Sequence, residues 1–89
     1  MISKIDLVAW ILRGSQKRVI FRLLKNKRMI PAELYEFAHV INPRITRNSV
    51  SDVLREFKKK GLVKCINPTE SKGRIYELTK LGKEVAKGV

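Results

Sequence analysis

Apolar positions along this chain recur at steps of three and four residues as far as Phe57, alternate with polar ones after Gly61, and return to helical steps near the end. Ile5, Leu7, Val8, Ile11 and Leu12 form a stripe that predicts a helix over 4–13, with Trp10 lying across from part of it. Val19, Ile20, Leu23 and Leu24 predict a second helix beginning at Ser15, whose hydroxyl is placed to cap it. Asn26 to Met29 read as a basic connection. Pro31 then suits the first position of a third helix, because its missing amide proton would have had no partner there. The apolar set Leu34, Phe37, Ala38 and Ile41 carries this helix to about Ile41, where Asn42 and Pro43 stop it. Tyr35, Phe37 and Phe57 are expected in the core or at its margin.

A fourth helix is predicted over 46–60, with Thr46 as its N-cap. On a helical wheel Val50, Val53, Leu54 and Phe57 share the inner face, Asn48, Ser51, Asp52, Arg55 and Lys59 the opposite one, and Arg47 flanks the start. Gly61 supplies a left-handed stop, and the lysines before it sit where a helix dipole favours cations. LVKCI (62–66) and RIYELT (74–79) are β-prone runs joined by NPTESKG (67–73), which predicts a hairpin with a long basic loop reaching away from the core. TKLGKEVAKG closes as a short helix, with Thr79 as N-cap and Leu81 and Val85 one turn apart.

Length and charge narrow the possibilities. The 89 residues, 44% hydrophobic, suffice for one core and point to a single domain over 1–89. Lys and Arg number 20 against 8 Asp and Glu, so the formal charge is +12. The implied partner is polyanionic, and nucleic acid fits better than a membrane because the basic residues are spread along the whole chain. Cys65 and His39 are each the sole residue of their type, which removes disulfides and the usual metal sites; no cofactor, metal or small-molecule ligand is expected. His39 is assigned no role, and Cys65 reads as a buried thiol. With no targeting signal and no spanning segment, the chain is expected to be cytoplasmic.

The order of elements, with a short turn ahead of a capped helix and a hairpin after it, is a helix-turn-helix followed by a β-ribbon. The segments SVSDVLREFKKKGLVKCINP and SKGRIYELTKLGKEV carry a further resemblance. Gly73, Arg74, Tyr76, Leu78, Thr79 and Gly82 match a Gly-Arg-x-Tyr-x-Leu-Thr-x-x-Gly motif, and over roughly 13–87 the chain resembles the winged helix-turn-helix domain of small archaeal transcription regulators. The resemblance implies a mainly α fold with a β-hairpin: a three-helix core, a two-stranded wing and a C-terminal helix. It also implies that helix 46–60 enters the major groove of double-stranded DNA while the 67–73 loop lies on the backbone or minor groove.

The residue chemistry agrees with that docking. Arg47, Asn48 and Arg55 are candidates for base readout, since Arg suits guanine and Asn suits adenine. Ser51 and Thr46 are candidates for phosphate, and Asp52 is placed to orient Arg55 or accept from cytosine. Ser71, Lys72 and Arg74 would add charge from the wing. Lys58, Lys59 and Lys60 extend the footprint, and Lys17, Arg18 and Arg44 bracket it on the backbone. The expected function is sequence-specific DNA binding by a homodimeric transcription regulator. Residues 1–13 would serve either dimerisation or core cover, and the C-terminal helix is a second candidate for dimerisation. The competing reading is a protein-interaction module within a transcription or replication assembly, because fold alone does not fix function. Enzyme activity is not expected: the sequence has no HExxH, no Gly-rich phosphate loop and no credible catalytic combination of Ser, His and Asp.

Overall fold

The computed structural model describes residues 3–89. In chain order the elements are α1 (Lys4–Arg13), α2 (Ser15–Asn26), α3 (Pro31–Ile41), α4 (Arg47–Lys59), β1 (Val63–Cys65), β2 (Tyr76–Leu78) and α5 (Lys80–Ala86). The two strands form one antiparallel sheet, so the fold is mainly helical with a hairpin.

Local chemistry accounts for most of the boundaries. The Ser3 hydroxyl accepts from the Asp6 amide and starts α1. Gly14, in extended conformation, both ends α1 and precedes α2 without any side-chain cap. This corrects the expected cap at Ser15: the corner consumes a single residue, so Ser15 is already helical. Glu33 accepts from the Ile30 amide at the start of α3, 3.4 Å away. Thr46 caps α4 through the Ser49 amide at 3.0 Å. At the other end the amides of Gly61 and Leu62 bond back to the carbonyls of Lys58 and Phe57, with Gly61 at φ 75°. That is a Schellman stop, and the accompanying apolar contact comes from Leu62 and Phe57, both fully buried.

The hairpin registers Val63 with Leu78, Lys64 with Glu77 and Cys65 with Tyr76. Its strands are shorter than the expected 62–66 and 74–79. The ladder ends because the Ile75 amide is taken by the Asn67 side chain at 2.7 Å. On its other side Tyr76 pairs with Met29 through two backbone hydrogen bonds, of 3.0 and 2.9 Å. The 26–29 connection therefore ends in a buried third strand position, where the sequence suggested only a basic link. Thr79 caps α5 through the Gly82 amide, and Gly82 lies so close to β1 that a Cβ there would stand 2.2 Å from the Leu62 carbonyl oxygen.

The core is one cluster to which every element contributes. Phe57 lies at its centre, with Phe21 and Trp10 edge-on to it at 5.4 and 5.8 Å between ring centroids. Leu7 and Ile11 are buried, so the inner face of α1 is core cover, while residues 1 and 2 lie outside the described residues. The Lys4 ammonium bonds the Glu84 carboxylate and joins α1 to α5; that hydrogen bond, and then the charge of Lys4, hold Glu84 below the usual carboxylate range.

One expectation about the core is overturned. Leu34 and Ala38 of α3 are buried, but Phe37 is 48% exposed and Ile41 60%, with Val40 beside them at 82%. The helix packs on α2 and α4 through one side only, and no described element covers the other. Among the described residues, no helix is long and apolar enough to cross a membrane.

Candidate nucleic-acid interface

Residues Arg47, Ser51, Arg55 and Lys58 recur at helical steps along one flank of α4. Ser51, Arg55 and Lys58 line a hollow of about 320 Å³ with Pro31, Arg74 and Tyr76. Arg47 lines an adjoining hollow of about 510 Å³ with Ser71, Lys72 and again Pro31, Arg74 and Tyr76. The shared residues make the two hollows one groove, walled by α4, the start of α3 and the hairpin loop. Among the described residues, no carboxylate lines it. Five cationic side chains therefore face one channel, a geometry suited to a polyanion.

Several groove residues are held by neighbours. The Asp52 carboxylate lies 3.3 Å from Arg55, both well exposed, so the pair steers the guanidinium without adding much stability. Arg74 donates from Nε to the Glu70 carbonyl at 2.7 Å and keeps its terminal nitrogens free to turn outward. Asn67 braces the loop, donating to the Gly73 carbonyl at 3.0 Å while accepting from Ile75. The Cys65 thiol is half-buried and donates to the same Asn67 oxygen.

The support of Arg47 was not foreseen. Its guanidinium carbon lies 5.0 Å from the centre of the Tyr35 ring, which stacks on His39 at 5.2 Å. His39 Nδ1 bonds the Ile45 carbonyl at 3.0 Å, and because a carbonyl only accepts, that nitrogen carries the proton. An aromatic pair on α3 thus ties the turn before α4 and supports the first residue of that helix. The sequence signal was the i, i+4 spacing of Tyr35 and His39, on the side of α3 away from Phe37.

The remaining candidates fall into three groups. Asn48 and Lys59 are exposed on the outer edge of α4, outside the groove lining. Thr46 is exposed but its hydroxyl is engaged with Ser49, and Arg44, in the α3–α4 turn, is anchored by its amide to Asn42. Lys17 and Arg18 sit at the corner of α1 and α2, away from the groove lining. There the Lys17 ammonium lies 4.1 Å from the Trp10 ring centre and Arg18 reaches the Leu12 carbonyl at 3.4 Å. Lys60 joins them over Trp10 at 4.8 Å, turned away from Lys58. Among the described residues, no three His, Cys, Asp or Glu side chains come together as metal ligands would. No family model, no curated protein and no solved structure matches the chain.

Proposed function

We propose that this chain is a winged helix-turn-helix protein that binds double-stranded DNA with sequence preference and acts as a transcription regulator. The single observation that carries this reading is the convergence of Arg47, Ser51 and Arg55 of α4 with Lys72 and Arg74 of the hairpin on one groove free of carboxylates. In this reading α4 enters the major groove, Arg47 and Arg55 reach base edges from one flank and Asn48 from the outer edge, and the 67–73 loop lies along the phosphates. Lys17, Arg18 and Lys60 would add general attraction from a second side, without sequence information.

The test is duplex binding followed by fluorescence anisotropy. Arg55→Glu combined with Lys72→Glu should abolish binding, and the wild-type affinity should fall with salt at a log–log slope of about −4 to −5, as neutralising about five phosphates requires. Tight binding by the double variant, or affinity indifferent to ionic strength, would refute the docking. The protein-interaction reading draws support from the outward face of α3, which lies apart from the groove, so both activities are compatible in one chain.

A further inference from the structure

Lys25 at the end of α2 and Lys83 and Lys87 of α5 line a hollow of about 320 Å³ with Leu78 and Ala86, both buried. Among the described residues, no carboxylate lines it. The cations extend beyond the hollow along both helices. Arg22 lies three residues before Lys25, and Lys80, Lys83 and Lys87 recur at steps of three and four. All five are exposed, and none is in an ion pair among the described residues. Helix α2 contains no Asp or Glu, and α5 contains only Glu84. That carboxylate bonds Lys4 of α1 and feels Lys80 and Lys87 less strongly, while Glu77 pairs with Lys64 at 3.6 Å. Five like charges thus gather with little to offset them, which opposes folding unless an anion neutralises them. Lys25 donates to the Val89 backbone oxygen at 3.4 Å, a long hydrogen bond for which a phosphate oxygen competes readily.

Chemistry narrows the choice of anion. A small one would need donors fixed around it, and the hollow offers flexible ammonium groups over an apolar floor. A bilayer would take up exposed apolar side chains, whereas Leu78 and Ala86 are buried and the exposed row is wholly cationic. A nucleic-acid backbone asks only for cations at intervals. From Lys80 to Lys87 the helix rises about 10 Å. That is the axial length of about three phosphates of one strand.

We propose that this face seats the phosphate backbone of a second duplex segment, so that one chain holds two segments together and reads sequence in neither through this face. Groove and hollow share no residue: Arg74 and Tyr76 border the groove, and Leu78, further along the same arm of the hairpin, borders the hollow. The chain measures 33 × 30 × 20 Å, and a duplex keeps its direction over about 150 base pairs, so a duplex lying along α4 does not fold over onto α5. Holding two segments rests on the DNA reading proposed above, because the first seat is the groove; the charge of this face does not.

Lysine acylation of the full chain, read by mass spectrometry, follows the two seats separately. With a short duplex in excess, Lys58 and Lys72 should be protected in the groove, and Lys25, Lys83 and Lys87 should be protected at least about threefold as well. In a second measurement, an immobilised duplex loaded with wild type should capture a labelled duplex from solution. The triple variant Lys25→Gln, Lys83→Gln, Lys87→Gln alters only exposed positions, so its circular dichroism should match wild type. It should capture at least about tenfold less while keeping its affinity for a single duplex within about threefold. No capture by wild type, or undiminished capture by the variant, would overturn the inference; in the latter case the grooves of two associated copies hold the two duplexes. An equal fall in capture and in single-duplex affinity would overturn it too, as would protection of these lysines by phosphatidylserine vesicles and not by duplex. Protection of Lys58 and Lys72 alone would sink this seat and leave the groove reading intact. Protection of Lys25, Lys83 and Lys87 alone would defeat the groove reading and leave this face standing as a backbone contact.

Discussion

The neighbouring helices α3 and α4 use their apolar residues in opposite ways. In α4 the apolar residues are Val50, Val53, Leu54 and Phe57, all buried, and the other positions are polar or charged. In α3 the large apolar side chains surround the helix: Leu34 is buried, Tyr35 is half-buried on one flank, and Phe37, Val40 and Ile41 are exposed on the other. A narrow stripe admits one inward face. Apolar residues on all sides admit several, and only the placement of α2 and α4 selects among them. The difference extends to charge, because α4 presents Arg47, Arg55 and Lys58 to the groove while α3 has no cation to present.

Two phenylalanines make the comparison measurable, since Phe57 is fully buried on α4 and Phe37 half-exposed on α3. The largest effect belongs to Phe57→Ala. It removes a ring that meets both Phe21 and Trp10, and it should lower unfolding stability by about 3–5 kcal/mol in urea titration. A cost under about 1 kcal/mol would mean that the centre of the core has been misplaced. Because the solitary Trp10 touches this ring, its fluorescence should report the same loss.

How far the sequence could be read follows the same division. Caps and stops were legible where one residue does a defined job: Thr46 and Thr79 accept from the amides three positions on, and Gly61 takes the left-handed conformation. The clean stripe of α4 made its buried face legible too, whereas of the outward set Asn48, Ser51, Asp52, Arg55 and Lys59 only Ser51 and Arg55 line the groove. Features set by distant parts of the chain were not legible. The pairing of Met29 with Tyr76 joins positions 47 apart in sequence, and nothing in the local run Asn26–Met29 distinguishes a strand position from a link. Likewise, the corner at Gly14 depends on how tightly α1 folds back on α2, which displaced the expected cap by one residue. The dispersal of Lys17 and Arg18 away from the groove has the same origin. Both are basic residues that tertiary packing assigns to Trp10 and to the Leu12 carbonyl.

A smaller effect tests whether α4 is as well defined at its start as along its core face. Thr46→Ala removes the acceptor for the Ser49 amide and should cost about 1 kcal/mol, with Thr46→Ser recovering most of it. If the chain binds duplex DNA as proposed, the same change should also weaken that binding, because Arg47 is the first residue of the helix and depends on its first turn. Equal stability of Thr46→Ala and wild type would place the cap elsewhere.

The smallest stability effect is expected at Phe37. Its ring is half-exposed, so Phe37→Ala leaves no cavity and surrenders little burial; the change in unfolding free energy should stay within about 0.5 kcal/mol. Against the several kcal/mol expected at Phe57, that contrast between identical side chains on adjacent helices isolates environment from chemistry. It also separates two explanations for the exposed ring. If Phe37 merely overhangs the edge of the core, Phe37→Ala changes neither stability nor assembly. If it belongs to a protein-contact face, stability in dilute solution stays constant while association through that face falls, and the two measurements diverge. A fall in stability of 2 kcal/mol or more at low concentration would remove the distinction, for it would return Phe37 to the interior where the periodicity of α3 alone had placed it.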